Sequence, residues 1–201
     1  MPEPEWAHQS ETDLGPMTSR PLTPERFPDM ETVFGERGVA RRCFCMYWRR
    51  PDQGHRDDRD NKDRFADLVS AGRTPGLVGY VAQNDVSEDP VGWVQVGPRT
   101  EFPTLDRSRL LRRLDDVDVW SINCFVVRAG HRKRGVGAGL LAAAIDFAKT
   151  QGATVIEAYP VDGPRSSSVD YFTGTLSMFD EHGFVELIRR NDTRPIVRLT
   201  V

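Results

Sequence analysis

Cysteine is scarce in this sequence: three in 201 residues, at positions 43, 45 and 124. An odd, sparse set does not make a disulfide framework, so the expected compartment is a reducing cytoplasm. Long apolar runs are lacking as well. No stretch approaches the roughly 18 residues of a transmembrane helix, so no membrane partner is expected. The first 17 residues have neither a basic start nor an apolar core, and do not read as a secretory leader. Excess positive charge is also absent. Lys and Arg number 27 against 30 Asp and Glu, a formal net charge of −3, so no general attraction to nucleic acid follows. No internal repeat and no long low-complexity tract is found.

The remaining composition, 38% hydrophobic, 28% charged and 9% aromatic, is that of a globular chain. Its length suffices to bury a core without staples. Residues 1–22 are rich in Pro, Glu, Ser and Thr and poor in aliphatics, which predicts a flexible tail before one domain over 23–201. Thr23 followed by Pro24 reads as a helix start, with a helix to about residue 36. Further helical periodicity covers 61–71, 107–114, 135–151 and 177–182. Strand patterns cover 76–82, 91–96, 117–127, 154–159, 184–189 and 196–201. The aromatic run 43–48 reads as a strand or a buried segment. Strands joined partly by hairpins and partly by helices imply an α/β fold with a mixed, mostly antiparallel central sheet flanked by helices.

The chemistry concentrates after the strand ending near Val127. Five of the seven residues 128–134 are basic (Arg128, His131, Arg132, Lys133 and Arg134) in a net acidic chain. The strongest helix opens directly behind them at Gly135. Helix N-termini expose unpaired N–H groups and the positive end of the macrodipole. Glycines at 135, 137 and 139 let an anion approach that backbone. A diphosphate uses so many convergent donors better than a carboxylate does. A tight turn with solvated basic side chains is the bland alternative. The pattern is neither a P-loop, which needs Gly-Lys-Ser/Thr, nor a Gly-x-Gly-x-x-Gly dinucleotide turn with a later acidic ribose ligand.

Arg132-Lys-Arg-Gly135-Val-Gly137 resembles the Arg/Gln-x-x-Gly-x-Gly/Ala signature of the GNAT superfamily of acetyl-CoA-dependent N-acetyltransferases. The order of its surroundings is similar too: Phe125-x-Val127 before it, a Leu-Leu helix after it, a strand at 154–159, and Phe179-Asp-Glu-His-Gly183-Phe184 near the C-terminus. The resemblance implies acetyl transfer from acetyl-CoA directly to an amine of an unknown small molecule or protein. It implies a cofactor site in which backbone groups of Phe125, Val126 and Val127 pair with the pantetheine arm. N–H groups across Arg132, Lys133, Arg134, Gly135, Val136, Gly137 and Ala138 would then hold the pyrophosphate. Ser177 is a candidate for the CoA arm, or an ordinary helix serine. Phe179 stands where the family often has the tyrosine that protonates the thiolate. Such a protein would work as a monomer or homodimer.

An amine with the pKa of Lys is about three units from neutral at pH 7, so a base helps. Glu157, on the strand after the cofactor helix, is the candidate base, with a salt-bridged carboxylate as the alternative reading. Tyr171 and Tyr159 are candidate acids in place of Phe179, against a packing role. The N–H of Val127 suits the oxyanion. Trp48, Trp93 and Cys124 are candidates for the acceptor pocket, with core packing as the competing role. Buried cysteine is usually inert, which disfavours an acetyl-Cys intermediate at Cys124. Cys43, Cys45 and Cys124 have no evident fourth ligand for zinc, so no metal is expected. A non-catalytic acyl-CoA sensor or interaction module is the alternative from another class, prompted by Phe179.

Overall fold

The computed structural model describes residues 5–50, 58–84, 87–163 and 172–201. Its centre is an eight-stranded sheet in the order β1-β2-β3-β4-β5-β6-β8-β7. The strands are β1 (His8–Thr12), β2 (Gly15–Pro21), β3 (Gly76–Ala82), β4 (Glu88–Pro98), β5 (Trp120–Val127), β6 (Val155–Ala158), β7 (Val185–Arg189) and β8 (Pro195–Thr200). Every neighbouring pair is antiparallel except β5 and β6. Those two are parallel because the long helix α5 (Val136–Thr150) carries the chain back between them. The mixed sheet flanked by helices agrees with the sequence reading.

Helix α5 forms because Val136, Leu140, Leu141, Ala144, Ile145 and Ala148 recur at three- and four-residue steps and bury one side against the sheet. Its face of the sheet contributes Leu77, Val94, Val96, Ile122, Ile156 and Val197. The opposite face is covered by α1 (Phe27–Phe34), α2 (Val39–Cys43) and α3 (Asp58–Ser70), whose Phe34 and Phe65 meet Trp93 edge-on. A smaller cluster, Phe102, Leu105, Leu111, Tyr159 and Ile196, closes the same side under α4 (Pro103–Arg107).

Three sequence expectations are corrected. Residues 1–22 are not a flexible tail throughout: His8–Thr12 and Gly15–Pro21 pair as a hairpin at the sheet edge. Gly15 takes φ +94, and the Thr12 hydroxyl donates to the Gly15 carbonyl and accepts the Leu14 N–H. Met17 is fully buried, and Trp6 packs edge-on against Phe147 of α5. Trp6, Leu14, Met17 and Leu22 supply nearly all the large apolar surface of this segment, so its strands carry little aliphatic alternation to read. Of the two readings of the 43–48 run, the buried segment holds, with Phe44, Cys45 and Met46 in the core, and the strand does not. The run ends α2 and then turns through Phe44 and Cys45, both in the left-handed region at φ +44 and +52. The helix expected over 107–114 lies earlier, at α4.

Candidate acyl-transfer cleft

Strands β5 and β6 pair over only three positions, ending at Ile122 opposite Ala158. Beyond that point the sheet forks. The chain returning toward α6 (Leu176–Asp180) enters the fork: the Phe125 N–H donates to the Phe172 carbonyl at 2.5 Å, and Val161 bridges Thr175. The N-terminus of α5 opens at this same end of β5. Gly135 adopts φ +80, and among the described residues only the Met178 sulfur of α6 would meet a side chain at Gly137, at 3.5 Å. Arg132, Lys133, Arg134 and Gly135 are exposed, whereas Val136 is buried in the core and Gly137 and Ala138 are half-buried. A side chain at Gly135 would also meet the Thr12 backbone at 3.4 Å, so the N-terminal hairpin flanks this loop. The Asp13 N–H donates to the Arg134 carbonyl.

The strand residues expected to pair with pantetheine differ from one another. The Arg128 N–H donates to Val91 of β4 and the Phe125 N–H to Phe172, which fixes the alternation along β5. Phe125 and Val127 therefore turn their backbone groups into the fork, while Val126 turns toward β4. The Val126 side chain belongs to the core on the α1–α3 side. The Val127 carbonyl accepts from the Arg132 guanidinium at 3.1 Å. The Phe179 ring is turned into the core, buried between Phe125 and Phe184. Ser177 is exposed, with its hydroxyl 3.3 Å from that of Thr175. Tyr171 lies outside the described residues.

Glu157 is not a free base. It is 1% exposed and spanned by two guanidinium groups, Arg99 at 2.5 Å and Arg198 at 2.8 Å. The Tyr159 hydroxyl donates to the same carboxylate at 2.8 Å and lies 2.9 Å from Ser121. Burial, followed by the Glu157 charge, holds the Tyr159 phenol well above its usual range. Its proton is therefore committed to the carboxylate beside it, and Tyr159 is not poised as an acid. Asp106 and Asp115 bind the outer sides of Arg99 and Arg198, so two guanidinium groups are shared among three carboxylates. Sequence reading missed both arginines, because they are far from Glu157 along the chain.

The proposed acceptor residues also separate. Trp93 is fully buried among Phe34, Phe65 and the Cys45 sulfur, which accepts its indole N–H at 3.2 Å, so it is a core residue. Cys124 is buried, with its sulfur 3.3 Å from that of Cys45. That contact and burial push its thiol pKa well up, which removes thiolate character. Trp48 alone of the three reaches the fork, donating its indole N–H to the Asn123 carbonyl at 3.0 Å.

Asn123 was missed, although a single carboxamide inside an apolar strand is a visible signal. It is fully buried, and neither side-chain polar atom has a partner among the described residues. The Oε1 of fully buried Gln95 is likewise unpartnered, while its Nε2 donates to the Cys45 carbonyl.

A family model for the acetyltransferase (GNAT) family matches residues 41–173. Among solved structures, the GNAT domain of S. lividans PAT is similar at 14% identity and TM-score 0.55, over 98% of this chain and 97% of that one. A GNAT-family acetyltransferase from Streptococcus agalactiae aligns at 12% identity and TM-score 0.54, over 92% and 95%. The NatC complex bound to Gag peptide and CoA aligns at 12% identity and TM-score 0.51, over 92% and 98%. No curated protein matches the sequence. The solved structures share the fold. The family match spans more than half of the chain, and on it the chain belongs to the acetyltransferase (GNAT) family, whose members use acetyl-CoA or another acyl-CoA.

Proposed function

We propose that this protein is an acetyl-CoA-dependent N-acetyltransferase that moves the acetyl group directly to a primary amine of a small molecule or protein. The observation that carries this reading is the fork between β5 and β6, which opens beside the glycine-flanked start of α5 and its three exposed basic residues. Amides at that helix start and the side chains of Arg132, Lys133 and Arg134 suit a diphosphate. CoA supplies the acyl group as a thioester in the fork.

The amine lone pair attacks the acyl carbon, and the negative charge that develops on oxygen needs a donor. Phe172 already uses the Phe125 N–H, so that amide is not available to the charge. Collapse breaks the carbon–sulfur bond. The thiolate leaves without a strong acid, since thiol pKa values lie near 8.5. Glu157 and Tyr159, tied to each other and to Arg99 and Arg198, hold the floor of the fork in place.

A second reading, an acyl-CoA sensor without turnover, is favoured by one contact: Phe172 occupying the Phe125 N–H. Calorimetric titration with CoA, followed by CoA-thiol release from acetyl-CoA with a panel of primary amines, separates the two. Binding with amine-dependent release is expected. Binding without release across the panel establishes the sensor, and no binding overturns both.

A further inference from the structure

We infer that Asn123 is a catalytic residue whose carboxamide, together with Gln95 Oε1, holds a neutral acceptor amine against the thioester. The inference rests on the acyltransferase reading above and specifies the chemistry of its acceptor side. Four observations meet at this residue. Between Gln95 and Val96 the β4–β5 register shifts: Gln95 faces Cys124 and Val96 faces Ile122, which leaves Asn123 as the extra, bulged residue. Asn123 is also the first residue past the last β5–β6 pair, at the branch point of the fork. Its own carbonyl is tied to the Trp48 indole. Its side-chain oxygen and nitrogen are both buried without a partner among the described residues.

Bulges re-aim side chains and recur beside active sites. A buried, unsatisfied carboxamide destabilises a fold and calls for an explanation. A leucine would fill similar volume without that cost. The unpartnered polar atoms of these two residues are two acceptors, Asn123 Oδ1 and Gln95 Oε1, and one donor group, Asn123 Nδ2. Two acceptors suit the N–H bonds of a primary amine, and they hold it more strongly as the nitrogen gains positive charge on attack. The donor group suits the acyl oxygen, which gains negative charge in the same step. The carbon–nitrogen bond forms from the amine lone pair, the carbon–sulfur bond breaks, and its electrons leave on the CoA thiolate. A carboxamide takes no proton, so the nitrogen proton passes to water. The acceptor must therefore arrive neutral, which favours an α-amino group, pKa about 8, over a lysine side chain, pKa about 10.4.

The test uses the full chain with acetyl-CoA, comparing a short peptide that has a free α-amine with an alkylamine. For Asn123→Leu, kcat is expected to fall about a hundredfold. The acetyl-CoA KM should stay within about twofold, and the melting temperature should equal or exceed that of the wild type. The wild-type rate should rise with pH along the acceptor's own ionisation, and Asn123→Asp should add a second limb from its carboxylate. Wild-type kcat in Asn123→Leu, or a loss of kcat that only follows a loss of melting temperature, overturns the inference and leaves the acyltransferase reading standing. A wild type that releases no CoA with either amine overturns both.

Discussion

The basic loop at 132–134 and the ion-pair cluster around Glu157 use the same guanidinium chemistry in opposite settings. In the loop, Arg132, Lys133 and Arg134 are consecutive and exposed, at the mouth of a helix that adds more positive potential. In the cluster, Arg99 arrives from the turn just after β4 and Arg198 from β8, and both close on one buried carboxylate. A charge gathered with its own sign on a surface is placed for a ligand. A charge buried with its opposite is placed for the fold, since an unpaired buried charge is strongly unfavourable. The sequence shows only charge, so Glu157 and Arg132 look equally functional until burial separates them.

The sharpest way to break this contrast is Glu157→Gln. Two buried guanidinium groups would lose their shared partner, and stability should fall by about 3 kcal/mol, with Asp106 and Asp115 limiting the loss. Denaturant unfolding at pH 7 reads this directly. Wild-type stability combined with lost turnover would return Glu157 to the role of a base and dissolve the distinction.

Gly135→Glu tests the other side. The new carboxylate stands at the anion site, and its backbone must hold φ +80 against the Thr12 backbone. CoA affinity should fall about a hundredfold, roughly 2.7 kcal/mol, while the buried cluster is untouched. Calorimetry showing wild-type affinity would mean that the diphosphate lies elsewhere.

The contrast also explains what was legible in the sequence. Helix α5 and its basic entrance could be read because periodicity, glycines and charges follow one another within about 20 residues. The family pattern was visible for the same reason. The N-terminal hairpin was not, because its polar strands gain their place from contact with α5, which lies over 100 residues away. Trp93 and Trp48 show the same boundary. Both are tryptophans with an indole hydrogen bond, but one is walled in by Phe34 and Phe65 and the other holds the Asn123 carbonyl. Residue type cannot separate them, because the difference lies in which distant segments pack around each ring.

Glu101 gives the smallest effect and refines the rule at intermediate burial. It bridges nearly buried Arg49, at 2.6 Å, and exposed Arg73. Burial alone would raise its pKa, but the Arg49 and then the Arg73 contacts outweigh this and hold the carboxyl below its usual range. A depressed folded pKa means that the ion pairs contribute fully above the unfolded value, about pH 4.3, and are lost as pH falls through the lower folded value. Glu101→Gln should therefore lower stability by about 1.5 kcal/mol at pH 7. The difference from wild type should shrink as the pH is lowered below 4. A difference that stays constant across that range would show that the loss comes from packing of Arg49 on the Phe102 ring, which it covers at 4.6 Å, and not from charge.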